Sequence, residues 1–323
     1  MYNLNKLAIY SELEKGSGGG RKIFFGVDGK FKIHVQITMM SLMRNAGGDK
    51  YHFHVISSEL NDKDISRFRE ITENTPHGLT VHYVGDELFS SLPTTVFFSR
   101  ATYYRLLAPL LVPEEEKILY LDADMVCINP IDSLWNISMQ PQNIALVVGE
   151  SEQLQKNLAV NVNLKGFRYF NAGMMLINVG AWNEAGISDL ALSVLTQRGS
   201  LLQYLDQDAL NIALEGKVDY VDRRFNYIEM LAHNEHGYRV DVPADTCIIH
   251  YAGADKPWQE WNQQLICRYY QELYQKSLYA DHPFDRPENH EQAKKMYKSM
   301  FRRHQWFRGV YWWLRYYQMR YFK

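Results

Sequence analysis

Apolar residues in this chain come as short unbroken runs, spaced by longer segments in which they recur every three or four positions. "IFFGV" (Ile23–Val27) reads as a buried strand that runs out at Asp28, and "IHVQITMMSLMRN" follows with helical spacing. "YHFHVISSEL" alternates as a second strand. "NDKDISRFREITEN" opens on Asn and Asp caps and predicts a helix, with Asp62 and Asp64 as caps on a solvated face, and "LTVHYVG" predicts a third strand. "LPTTVFFSRATYYRLLAPLLVP", helical in its second half, leads to the apolar strand "ILYL", which ends in Asp122 and Asp124. Further strands are expected in "NIALVVGE", "GMMLINV" and "CIIHYAG", and helices in "SDLALSVLTQRG" and "LDQDALNIALEG". Strands separated by helix-length segments predict an α/β fold, a mostly parallel Rossmann-like sheet with helices on both faces. Such sheets bind ligands beyond the carboxyl ends of their strands. Asp28 and Asp122 both lie there and are expected to converge on one site.

At 323 residues, 46% hydrophobic and 22% charged, the chain has ample material for a core. Its three cysteines, Cys127, Cys247 and Cys267, lack metal-ligand spacing, and an odd number argues for a reducing compartment. The N-terminal residues have no apolar core of a signal peptide, and no stretch reaches the roughly 20 apolar residues of a membrane span. The expected location is therefore the cytoplasmic side. Charge divides the chain unevenly. Of 35 Lys/Arg, nine fall in residues 292–323, which hold no Asp or Glu; the remainder carries 26 basic against 37 acidic side chains. The predicted organisation is a flexible lead-in over residues 1–20 ending in "GSGGG", a catalytic domain over 21–282, and a helical basic, aromatic extension over 283–323.

An Asp-x-Asp triplet by itself says little, and the chain has three. The Asp122/Asp124 pair differs because an apolar strand delivers it, and an ionised carboxylate stays buried only with a partner. Residues i and i+2 of an extended chain share a face, so the two carboxylates can grip one hard cation, Mg²⁺ or Mn²⁺. His250, after an apolar strand, is either a structural histidine or a third ligand. The Gly-bearing loop and Lys256 behind it suit a phosphate. Asn171, Ala172 and Gly173 precede an apolar run, as a tight turn or as a small-residue rim for a sugar. Asp206, Gln207 and Asp208 stand at a helix start, where one of them caps the helix and the others can face a cleft.

Together, "FFGVDGKF", "LPTT" with "RATYYRLL", "ILYLDADMV", "FNAGMMLINVGAW", "LDQDALN", "DRRFNY" and "HYAGADKPW", in this order, resemble the family 8 glycosyltransferases, retaining enzymes of GT-A fold. Within that family, "LPTT", "PADTCIIHYAGADKPWQEW" and the basic aromatic tail look closest to bacterial lipopolysaccharide-core glucosyl- and galactosyltransferases. The resemblance implies that Asp122, Asp124 and His250 hold Mn²⁺ on the pyrophosphate of UDP-glucose or UDP-galactose. It implies that Asp28 contacts the nucleoside, and that Arg105, Gly253 and Lys256 contact phosphates or sugar. It places Asn171, Ala172, Asp206 and Gln207 along the sugar and reaction centre, and it matches Glu150 to an acceptor-side acid. Lys30 departs from it, standing where relatives commonly have Asn. Retention leaves two routes: front-face attack, or a covalent intermediate on Asp206 or Gln207. The acceptor implied is the lipopolysaccharide core.

Clustered cations with Trp and Tyr in residues 292–323 suit an anionic membrane surface, where the rings sit among headgroups. Docking on the protein's own body or a dimer contact are the alternatives, and no RNA-binding motif supports nucleic acid. Other functions compete with transfer to the lipopolysaccharide core: transfer to another surface polysaccharide, self-glycosylation on the Tyr-rich tail, noncatalytic binding of a nucleotide sugar, and phosphomonoester hydrolysis by an aspartate-nucleophile phosphatase, in which the Asp-bearing strand usually comes earlier in the chain.

Overall fold

A computed structural model describes residues 10–15, 19–85, 88–95, 98–233 and 242–322. The chain divides into two compact units, residues 1–227 with 245–250, and residues 228–244 with 251–323.

The strands are β1 (Tyr10–Lys15), β2 (Arg21–Gly26), β3 (Tyr51–Ser57), β4 (Gly78–Tyr83), β5 (Lys117–Leu121), β6 (Met125–Cys127), β7 (Ala145–Gly149), β8 (Phe170–Asn178), β9 (Val218–Tyr220), β10 (Tyr227–Ile228) and β11 (Ile248–His250). Eight of them form the main sheet of the first unit, in the order β1-β4-β3-β2-β5-β8-β7-β9. Neighbours from β4 to β5 run parallel, as the strand–helix alternation predicts. The apolar runs fill it: Ile23, Phe24 and Phe25 of β2 and Ile118 to Leu121 of β5 are buried on both faces. One apolar core lies on each face.

Two departures from the expected pattern have clear causes. First, Tyr10–Lys15 pair antiparallel with β4 at the sheet edge, so this part of the lead-in is strand and not linker. The remainder of the lead-in, apart from Gly19 and Gly20, lies outside the described residues. Second, β8 runs antiparallel to both β5 and β7. It also starts at Phe170, so Asn171, Ala172 and Gly173 lie inside the strand and not in a turn before it. Reversal of β8 puts these three residues beside the carboxyl end of β5, where Asp122 N–H donates to Gly173 O at 2.8 Å.

The helix Asp62–Thr72 is capped as its sequence predicts, but by Asn61, with a reciprocal bond from the Asn61 N–H to Asp64. Asp62 is exposed. Asp64 is buried and takes Lys32 Nζ at 2.7 Å, so only one of these two carboxylates faces solvent. All three cysteines are buried and free.

The second unit ends in two helices, His290–Arg302 and Trp306–Tyr321. Ala293, Met296 and Met300 of the first pack with Trp312 and Tyr316 of the second and with Trp261. The other side of the second helix is open: Phe307 is 96% exposed, and Trp306, Tyr311, Leu314 and Tyr321 are exposed with it. No helix among the described residues is long and apolar enough to cross a membrane.

Candidate active site

The chain turns sharply between β5 and β6, and that turn carries Asp122 and Asp124. Thr38, buried in the helix Phe31–Arg44, pins it by donating to Ala123 O (3.1 Å) and Met125 O (2.8 Å). β6 then pairs antiparallel with β11 in a second small sheet, in a register that sets His250 opposite Met125. The result brings one atom each of Asp122, Asp124 and His250 within 4.8 Å of one another. His250 Nε2 stands 3.2 Å from Asp124 Oδ1 and 4.0 Å from Asp122 Oδ2.

Two features fit this group to a divalent cation. The donors are two carboxylates and an imidazole whose Nδ1 is committed to Asn226 Oδ1 at 3.0 Å, which leaves Nε2 to ligate. Asn226 is itself oriented by its amide bond to Asn171 Oδ1, 3.0 Å. The second feature is Gly173. A Cβ there would meet His250 Cε1 at 2.6 Å and Asp122 Oδ2 at 2.8 Å, so the space between the donors exists because this residue has no side chain.

Arg105, from the 3₁₀ helix Arg100–Leu106, ties this group to the next. Its Nη2 donates to Asp122 Oδ1 at 2.8 Å, its Nη1 to Ala172 O at 2.6 Å, and its Nε lies 2.9 Å from Asp206 Oδ2. Burial works against the guanidinium charge, but Asp122 and Asp206 outweigh it and raise the pKa. Burial also pushes the Asp206 carboxyl up to about 6, while Arg105 and Thr102 pull it back. Asp206 has Arg105 on one oxygen and the Thr102 hydroxyl on the other.

Gln207 follows Asp206 in the first turn of the helix Leu205–Ala213, whose first residue sits at φ +35°, an uncommon backbone state for leucine. The Gln207 carbonyl accepts the Ala172 N–H at 3.0 Å. None of Asp206, Gln207 and Asp208 caps the helix, whose N-cap residue is Tyr204 and has no side-chain cap; Asp208 instead accepts the Tyr204 N–H and the Tyr169 hydroxyl. On the other flank, Glu150 accepts the Asn171 amide at 2.9 Å. Burial raises its pKa, with Asn171, His250 and Arg223 opposing.

Asp122, Asp124, His250, Arg105, Asn171, Ala172, Asp206, Gln207 and Glu150 thus form one connected polar network in the first unit. Asp28 engages Ser99 and the backbone of Ala101, which belongs to the 3₁₀ helix that carries Arg105. Burial raises its pKa, Ser99 lowers it and Glu59 raises it. Lys30 is exposed at the start of the helix Phe31–Arg44. Gly253 and Lys256 belong to the second unit. Gly253 adopts φ +82°, which glycine accommodates, and Lys256 Nζ donates to Tyr251 O at 2.8 Å. Asn226, Thr102 and Thr38 escaped the sequence reading. "DRRFNY" had marked the neighbourhood of Asn226, but nothing in its spacing assigns that side chain to His250.

The family model "Glycosyl transferase family 8" matches residues 22–262, and "Glycosyl transferase family 8 C-terminal" matches residues 266–320. Among curated relatives, a lipopolysaccharide 1,2-glucosyltransferase of Escherichia coli K12 is 28% identical over 89% of this chain and 87% of its own length. A lipopolysaccharide 1,3-galactosyltransferase of Salmonella typhimurium is 28% identical over 92% of this chain and 90% of its own. The crystal structure of the galactosyltransferase LgtC, in complex with donor and acceptor sugar analogs, superposes with a TM-score of 0.69 at 22% identity. It covers 85% of this chain and 99% of that one, which shows the GT-A fold.

Proposed function

The chain belongs to glycosyl transferase family 8, and we propose that it moves glucose or galactose from a UDP-hexose to a saccharide acceptor, the lipopolysaccharide core, with retention. The observation that carries this reading is the convergence of Asp122, Asp124 and His250 beside Arg105, Asn171 and Asp206. Relatives that act on lipopolysaccharide with either hexose support the acceptor class and leave the donor as a choice of two.

Asp122, Asp124 and His250 would hold Mn²⁺, as the family resemblance implies, or Mg²⁺. The ion would supply positive charge to stabilise UDP as a leaving group. The chain's own residues have other tasks. Arg105, kept protonated, fixes the position of Asp122 and neutralises Asp206. Asn171 bridges Glu150 and the Asn226–His250 pair, joining the donor side to the acceptor side. Front-face attack fits best. Both oxygens of Asp206 are occupied and its side chain is 2% exposed, while the Gln207 carbonyl is held by a backbone N–H. Neither group is poised as a nucleophile, and both suit a role in orienting the sugar. Asp28, Gly253 and Lys256 are assigned to the nucleotide and its phosphates, on family resemblance.

The open aromatic side of the helix Trp306–Tyr321, with Arg308, Arg315 and Arg320, supports peripheral attachment to an anionic membrane on its cytoplasmic face. Flotation with anionic vesicles that persists in a Phe307→Ser, Trp306→Ser variant would remove that part of the reading.

The deciding assay is UDP release from UDP-glucose and from UDP-galactose, with Mn²⁺ or EDTA, with and without truncated lipopolysaccharide. Release that needs the metal and one donor, rises with acceptor and falls about a hundredfold or more in Asp124→Ala is the expected result. UDP binding without release under any combination would favour a noncatalytic binding protein.

A further inference from the structure

The second unit holds a groove of about 420 Å³ between the helix His290–Arg302 and the loop that begins at Trp261. Its floor is a neutralised pair: buried Asp255 takes Lys295 Nζ on both oxygens, at 2.6 and 2.8 Å, and accepts the Trp261 indole N–H at 3.2 Å. Above that floor the charge is unbalanced. Lys294, Lys298, Arg302 and Arg303 all line the groove against a single carboxylate, Glu291. Among the described residues none of these four cations forms an ion pair, and Glu291 lies 3.2 Å from His290 Nε2.

The spacing sharpens the point. Lys294, Lys298 and Arg302 follow one another at intervals of four on one helix face, so they repel each other. The row weakens its own helix unless an anion sits among them. Helix-dipole complementarity accounts for Arg302 in the last turn, but not for Lys294 or Lys298 further back. Four cations round a recess suit a group with more than one negative charge, and a phosphomonoester carries about −1.5 to −2 at neutral pH. The recess favours a discrete molecule over a flat array of headgroups. Gln263 and Ser299 add polar groups to the lining, which suit a polyhydroxylated carrier.

We infer that this groove binds a phosphate carried on the acceptor saccharide, so that the second unit selects phosphorylated acceptors. The inference rests on the transferase reading for its biological role, and its test does not. Calorimetric titration of the full chain, without donor, would use lipid-free lipopolysaccharide-core oligosaccharide bearing phosphomonoesters, and the same oligosaccharide after phosphatase treatment. The expected result is that phosphatase treatment weakens binding to the wild type about tenfold. A Lys298→Gln, Arg302→Gln variant should bind the phosphorylated probe as weakly as the wild type binds the stripped one. Lys298→Glu, at an exposed position, gives the same test with a single change. Lys156→Glu, at an exposed lysine of the first unit, changes net charge by the same two units and should bind like the wild type.

Equal affinity of wild type and double variant for the phosphorylated probe would overturn the inference. So would a defect seen only with anionic vesicles, since the phosphate recognised would then belong to lipid headgroups. No turnover is counted in the titration, so a failed transferase assay and a failed groove remain separate results.

Discussion

The two flanks of the main sheet bury polar groups in opposite ways. On the β3–β4 side, His54 and His82 stack with Phe24 and His52 tilts against His54, with His54 Nδ1 2.9 Å from His82 Nε2 and His52 Nε2 2.8 Å from Thr80 Oγ1. Burial holds all three imidazoles neutral, lowering His52 and His82 to about 4 and His54 well below its ordinary value. On the β5–β8 side, Arg105 is paired with Asp122 and Asp206, so that an opposite charge is in contact with each. A titratable group taken out of water must either lose its charge or pair it. One flank took the first route and serves as core; the other took the second, and its charges are available to a ligand.

The largest expected disruption of this contrast is Arg105→Leu. It strands Asp206 and Asp122 without their cation and should cost about 3–5 kcal/mol in urea unfolding. Arg105→Leu with Asp206→Leu should recover the part of that loss due to Asp206, the more deeply buried carboxylate, while Asp122 stays without its cation. Full stability in the single variant would mean that the carboxylates need no partner.

Gly173→Ala tests the charged flank more locally. A methyl group at 2.6–2.8 Å from His250 and Asp122 must displace them. Mn²⁺ affinity, followed by calorimetry, should fall about ten- to hundredfold, with a stability cost of about 1–3 kcal/mol. Unchanged affinity would show that the three donors are not the metal site.

The smallest effect belongs to the neutral flank. These histidines titrate below their free value of about 6.5, so the stability they contribute is complete above that pH and is lost as pH falls through about 4. Thermal melts should decline by a few degrees across that window. His52→Gln, which can keep the bond to Thr80, should flatten the decline. A wild-type melting temperature constant down to pH 4 would contradict the neutral assignment.

Much of this was legible in the sequence, for reasons that particular residues make plain. The strand–helix alternation gave the parallel core from β4 to β5, because both patterns are local. Asp122 and Asp124 stood out because two carboxylates ending an apolar strand need an explanation. The reversal of β8 left no such trace, since an apolar run reads the same in either direction. Yet that reversal brings Gly173 against Asp122 and turns an unremarkable small residue into the space between the donors. Asn226 was hidden for a similar reason: an amide is recognised as an orienting group only when its partner, His250, is seen 24 positions further along the chain. Tyr10–Lys15 were obscured by their polar composition and by the glycines that follow.

The three cysteines lend themselves to a practical use. Cys127, Cys247 and Cys267 are 3%, 5% and 0% exposed, and burial raises the pKa of each thiol. Thiol-directed reagents need an accessible thiolate, so the native protein is expected to react little with maleimide probes, without any engineering of its background. A single cysteine introduced on the open side of the C-terminal helix, as in Leu314→Cys, would then carry a fluorophore at a known position. Its emission colour would report in real time whether that side meets water or hydrocarbon.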